Sequence, residues 1–177
     1  MIIGCDTRNI ACSASKSGYS VYSIDAFCDF DLTKCTVATK KIPPSYADDV
    51  RTIPLKKVKE WIAEFGIVFD AIVLGSGFEF IDQERLPYQL LNNSQQVMNT
   101  VTDKYRFACK LKSLGIPHPV TYSGKEPGSI DTKNYPVIIK PNCAGGGILN
   151  RKVESPDELE YVIEDLLKLY PSWTADD

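Results

Sequence analysis

Tyr135–Asn150, YPVIIKPNCAGGGILN, is the stretch whose reading decides the fold. Val137, Ile138 and Ile139 form an apolar, β-branched run, and Lys140 and Pro141 then lead into Gly145, Gly146 and Gly147. β-Branched residues suit a packed sheet, whereas glycines carry no Cβ and lose the most backbone freedom on ordering. A strand that delivers a lysine to a glycine-rich loop suits phosphate: backbone N–H groups wrap the oxygens while the ammonium supplies charge. The Walker order GxxxxGK[ST] is not met, because the lysine precedes the glycines, and a P-loop NTPase is excluded.

Upstream of this stretch, TDKYRFACKLKSLGIPHP spells a helix. Thr102 or Asp103 caps it, Phe107, Ala108, Leu111 and Leu114 form its inward face, and Gly115 with Pro117 stops it. A strand is expected near Val120 to Tyr122, and a second at Val137 to Lys140. Downstream, Ser155 to Glu158 forms a capping box with Pro156 in the first turn, and Leu159, Val162, Ile163, Leu166 and Leu167 make one apolar stripe. Glu154, Asp157, Glu158, Glu160, Glu164 and Asp165 read as the solvated side of that helix. Two strands make a marginal sheet by themselves, so this second unit reads as unfinished.

The first half of the chain alternates strand and helix. MIIGC reads as a buried strand, DTRNIACSASKSG as a helix ending at Gly18, and YSVYSIDAF as a second strand. Cys28 to Asp49 has no sustained period and reads as a loop with a short edge strand at CTVAT. Leu55, Val58, Ile62 and Phe65 then fall at helical spacing between Pro54 at the first position and Gly66 at the end. FDAIVLGSG follows as a strand covered on both faces. Such alternation predicts a parallel doubly wound sheet that binds ligands at the carboxyl ends of its strands. The dinucleotide fingerprint GxGxxG is absent from the first turn, GCDTRN, and incomplete in GSGFEF, which reads as a tight turn after a strand. Asp25 reads as a capping or loop residue rather than a ribose ligand.

Composition narrows the partners. The 177 residues are 44% hydrophobic and 24% charged, and 20 Lys plus Arg against 23 Asp plus Glu give a net charge of −3. There is no electrostatic footprint for nucleic acid or an anionic membrane, so small ligands are the expected partners. No apolar run reaches the roughly 18 residues of a bilayer span. The start lacks the basic and apolar regions of a signal peptide, which predicts a cytoplasmic protein. Cys5, Cys12, Cys28, Cys35, Cys109 and Cys143 contain no CxxC pair and have only His118 for company, so a zinc site is not expected. In a reducing compartment most of them read as small buried or half-buried thiols, Cys143 as a small residue tolerated in the loop, and His118, between two prolines, as a turn residue.

With these segments in view, the chain resembles the ATP-grasp superfamily. TDKYRFACKLKSLGIPHPVTY (102–122) is similar to its DK, helix and GIPxPxT segment, and YPVIIKPNCAGGGI (135–148) to its PVIVKP strand and glycine-rich loop. The order and separation of the two also match. The resemblance implies an α/β chain: residues 1–92 as a Rossmann-like parallel-sheet domain, and 93–177 as the first, incomplete part of an α+β ATP-grasp domain. Lys104 and Lys140 match the two lysines that contact the ATP phosphates, and Ala144, Gly145, Gly146 and Gly147 match the loop that closes over them. Taken singly, Lys104 reads as a solvated first-turn lysine set against the helix dipole, and Lys140 as a lysine snorkelling from a strand end. The order of the motifs turns both into phosphate ligands.

The superfamily uses ATP and Mg2+ to phosphorylate a carboxylate, and an amine or similar nucleophile attacks the acyl phosphate. The resemblance therefore implies the ATP-binding N-terminal part of an ATP-dependent carboxylate–amine ligase, acting on a small carboxylate and inactive by itself; it allows a homodimer. Its magnesium ligands and adenine-pairing hinge are expected outside this chain, so no metal ligand and no catalytic residue is assigned here. VYSIDAFCDFDL (21–32) is further similar to the preceding domain of archaeal carboligases related to biotin carboxylase, which keeps bicarbonate activation open as a second choice. The same residues are also compatible with a stand-alone nucleotide-binding or regulatory module without turnover, or with a partner-binding subunit that keeps only the fold.

Overall fold

The structure, a computed structural model, describes residues 1–46, 50–78, 81–124, 130–143, 147 and 149–169. The chain divides into two compact units, Met1–Met98 and Asn99–Asp177. In the first, β1 (Ile2–Gly4), β2 (Tyr22–Asp25), β3 (Ala38–Lys41) and β4 (Val73–Leu74) form a parallel sheet of order β3-β2-β1-β4. Successive side chains of a strand point to opposite faces, and the two isoleucines of β1 enter two different cores. Ile3 packs with Ile24, Val58, Trp61, Ile62 and Phe78, whereas Ile2 packs with Ala11, Val21 and Leu32. Helix α3 (Leu55–Ala63) supplies the first core, and α1 (Arg8–Lys16) and α2 (Phe30–Cys35) the second, so the sheet is covered on both faces as the alternation predicts.

Several local expectations change in this unit. The loop read from Cys28 onward contains α2, too short at six residues to show a period, and capped by Asp29, whose Oδ1 accepts from the Leu32 N–H at 2.8 Å. The strand placed at CTVAT lies further on, at Ala38–Lys41, where it pairs in parallel with β2. Cys12 and Cys35, read as thiols, form a disulfide that joins α1 to the end of α2 across a Cα–Cα distance of 4.9 Å, within the usual span of such a bridge. Pro54 is the cap of α3 rather than its first residue, and Gly66 follows the helix with φ +65°.

Helix α4 (Gln95–Thr102), not foreseen from the sequence, precedes α5 (Lys104–Ser113), whose cap is Asp103; its Oδ1 accepts from the Arg106 N–H at 2.8 Å. In the second unit β5 (Val137–Ile139) and β6 (Arg151–Val153) form an antiparallel pair, Val137 opposite Val153. Helix α6 (Pro156–Leu169) packs on β6 and buries Leu159 and Leu166. Its start differs in detail from the box expected: Ser155 Oγ accepts from the Glu158 N–H, but the Glu158 carboxylate reaches the Glu154 N–H.

Two expectations fail here. Val120 to Tyr122 is not a strand: Val120 is 78% exposed, and Pro117 and Pro119 beside it lack the N–H a ladder needs. The expected inward face of α5 is only partly covered: Ala108 and Leu111 are half-buried, whereas Phe107 and Leu114 are 39% and 58% exposed.

Candidate functional site

At the carboxyl edge of the parallel sheet, a polar network holds the turns after β1 and β2, and separate hydrogen bonds to Ser76 tie in the turn after β4. Asp25, the last residue of β2, is 2% exposed, yet its carboxylate is fully used. Oδ2 accepts from the Thr7 N–H at 2.7 Å and the Thr7 hydroxyl at 2.8 Å; Oδ1 accepts from the Phe27 and Cys28 N–H groups, both at 2.7 Å. Thr7 Oγ1 also pairs with Ser23 Oγ at 2.6 Å. Asp25 is thus the capping residue that the sequence suggests, joining the β1–α1 and β2–α2 turns. Burial, followed by the nearby Asp25 charge, pushes the Cys28 thiol above its ordinary pKa.

GSGFEF begins as the tight turn expected, with Glu79 and Phe80 outside the described residues. Gly77 has φ +81°, and a Cβ there would lie 2.5 Å from both Cys5 Sγ and Val50 Cγ2. The Ser76 carbonyl accepts from the Cys5 N–H at 2.8 Å, which ties this turn to the end of β1. A cleft of about 180 Å³ opens beside it, lined by Val50, Ile53, Leu55, Gly77, Ile81, Asp82 and Arg85.

The second unit holds the lysines. Lys140 follows β5 directly and is exposed; Lys104 opens α5 and is half-buried. The Lys104 ammonium donates to the carbonyls of Pro141 at 2.7 Å and Asn142 at 3.1 Å. Its backbone N–H donates to the Asn142 carbonyl at 3.2 Å, and the Tyr105 N–H to Asn142 Oδ1 at 3.0 Å. The two lysine-bearing segments, far apart in sequence, therefore meet. Burial lowers the Lys104 pKa below that of an ordinary lysine; Cys143 opposes the shift, Lys140 adds to it and Asp103 opposes it.

Of the glycine loop, Ala144, Gly145 and Gly146 lie outside the described residues. Gly147 is exposed with φ +71°, a conformation that favours glycine. Sequence reasoning missed Asn142, although an Asn after Lys-Pro at a strand end is a recognisable turn signal. Among the described residues no group of three or more His, Cys, Asp and Glu is placed to hold a metal ion, and no helix is long and apolar enough to cross a membrane.

The four-stranded parallel sheet followed by an α/β unit with an antiparallel strand pair is a fold shared with part of several solved enzymes. Among solved structures the chain is similar to the biotin carboxylase domain dimer of Hydrogenobacter thermophilus 2-oxoglutarate carboxylase, in complex with MgADP, ADP and bicarbonate, at 18% identity and TM-score 0.63. It is also similar to Campylobacter jejuni biotin carboxylase (22%, TM-score 0.63) and to the L-amino acid ligase of Bacillus licheniformis (18%, 0.57). The match covers 96%, 96% and 93% of this chain but 42%, 42% and 41% of theirs, so the chain spans about two-fifths of their length. No protein-family model matches the sequence, and no curated protein matches it.

Proposed function

We propose that this chain is the ATP-binding N-terminal part of an ATP-dependent ligase that activates a small carboxylate for attack by an amine or similar nucleophile. Residues 1–92 serve as the preceding Rossmann-like domain and 93–177 as the beginning of the ATP-grasp domain. The observation that supports the reading is geometric: the Lys104 ammonium donates to the carbonyls of Pro141 and Asn142, the two residues that follow Lys140, so both lysines belong to the same turn at the end of β5. Bound MgATP would supply the transferable phosphoryl group. Lys104 and Lys140 would hold its phosphate oxygens, and Ala144 to Gly147 would cover them and exclude water.

Likeness to the Bacillus licheniformis ligase supports an amine acceptor. Bicarbonate activation is the second reading, favoured by the two biotin carboxylases, one of them solved with bicarbonate, and a homodimer by the first of these. Titration of the 177-residue chain with MgATP tests the site. Lys140→Ala is expected to weaken binding at least tenfold, a loss of ~1.4 kcal/mol or more, and affinity blind to both Lys140→Ala and Lys104→Ala would refute the assignment. Reading the gene downstream of the Asp177 codon tests the ligase claim. A continuing frame with a further domain supports it, and an immediate stop codon leaves a nucleotide-binding module or a split enzyme.

A further inference from the structure

The N–H groups of the first three residues of α5 are engaged outside the helix ladder, and that of the fourth opens the ladder. The Lys104 N–H goes to the Asn142 carbonyl, Tyr105 to Asn142 Oδ1, Arg106 to Asp103 Oδ1 and Phe107 to the Asp103 carbonyl. A helix N-terminus beside a phosphate site ordinarily offers these groups to the anion. Here the helix start instead holds the turn that follows Lys140. Asn142 alone takes three hydrogen bonds from α5: the backbone and ammonium of Lys104 on its carbonyl, and the Tyr105 N–H on its side chain. The carbonyls of Pro141 and Asn142 also place negative ends of dipoles against a lysine that the helix dipole disfavours.

We propose that Asn142 is a positioning residue of the phosphate site: it clasps the end of the β5 segment to the start of α5, and so sets Lys104 beside Lys140. The inference rests on the nucleotide reading above and deepens it, since it assigns the geometry of the two cations to a third residue that need not touch the ligand. It also makes the helix dipole of α5 a contributor to the loop's anchorage rather than to phosphate binding.

The test compares the wild-type chain with Asn142→Ala and Asn142→Asp, by residue-resolved amide exchange and by MgATP titration. In Asn142→Ala the Tyr105 amide is expected to exchange at least tenfold faster while the Arg106 and Phe107 amides, held by Asp103, keep their rates; MgATP affinity falls about fivefold or more. Asn142→Asp keeps a side-chain acceptor and is expected to restore Tyr105 protection, which a general loss of stability at this turn would not do. Unchanged Tyr105 exchange in Asn142→Ala overturns the clasp, and lost protection with affinity within twofold of wild type overturns the positioning role. A wild-type chain that binds no MgATP defeats the nucleotide reading and the positioning role together, while the exchange data still decide the clasp.

Discussion

Replacing Asp25 by Asn keeps the size and shape of the side chain and changes only one oxygen to NH2, so its cost follows from the four hydrogen bonds the carboxylate accepts. If the NH2 takes the place of Oδ1, the N–H groups of Phe27 and Cys28 both face a donor. If it takes the place of Oδ2, the Thr7 hydroxyl turns to accept from it and donates to Ser23, and only the Thr7 N–H is left unpaired. The second arrangement is the cheaper. One orphaned buried N–H costs about 1–3 kcal/mol, and the bonds to Phe27 and Cys28 lose the strengthening that the charge supplies, roughly another 1 kcal/mol. A total of about 2–4 kcal/mol is expected, in a residue only 2% exposed where water cannot readily take over. Urea unfolding followed through the buried Trp61 measures it, with Thr7→Val as the companion variant. Because Thr7 and Asp25 share a hydrogen bond, the double variant should cost less than the sum of the two. A loss below about 1 kcal/mol for Asp25→Asn would refute the claim that this network holds the carboxyl edge of the sheet.

Lys104 predicts a pH dependence: its folded pKa lies below the ordinary 10.5, so it loses its proton before a free lysine does. MgATP affinity should therefore fall as pH rises toward 10.5, and Lys104→Arg, which does not titrate, should flatten that limb; superimposable profiles would defeat the assignment. Stability should move the opposite way, since the unfolded lysine binds more protons in that window and folding gains as pH rises through it. Removing the Cys12–Cys35 bridge by a double alanine substitution should lower stability by about 3 kcal/mol on the chain-entropy account, given its separation of 23 residues, and a thiol count of six on the untreated protein would show that the bridge is absent. Gly77→Ala should cost about 2–4 kcal/mol, because its positive φ penalises a side chain and the new Cβ would overlap Cys5 and Val50; an unfolding midpoint equal to wild type would contradict the packing described.

The elements legible in the sequence were those with a long period or a strong terminus. β1 and β4 are short apolar runs between helical patterns, α3 carries Val58 and Ile62 on one face between Pro54 and Gly66, and α6 shows its stripe after Ser155 and Pro156. The six-residue α2 escaped because one and a half turns do not make a period, although Asp29 marks its start. Val120 to Tyr122 has strand composition but no paired strand among the described residues, and the strand that does pair with β5, Arg151–Val153, is too short and too charged to announce itself. For the site, the residue types were visible and their joint placement was not: Lys104 and Lys140 follow from motif order, whereas Asn142 emerges only from where its carbonyl and side chain stand.

Sequence alone determined the parallel alternation of the first unit, because periodicity, caps and strand-to-turn transitions are local properties of a chain; the two lysines were singled out by the resemblance of their motifs. Tertiary structure decided what the buried polar groups do. Asp25 could have served a ribose or a turn, and it serves Thr7, Phe27 and Cys28 because those N–H groups converge on the end of β2. Likewise, only folding brings Asn142 to Lys104, and so commits the start of α5 to holding a loop: hydrogen bonds between residues far apart in sequence exist only once packing has placed both partners.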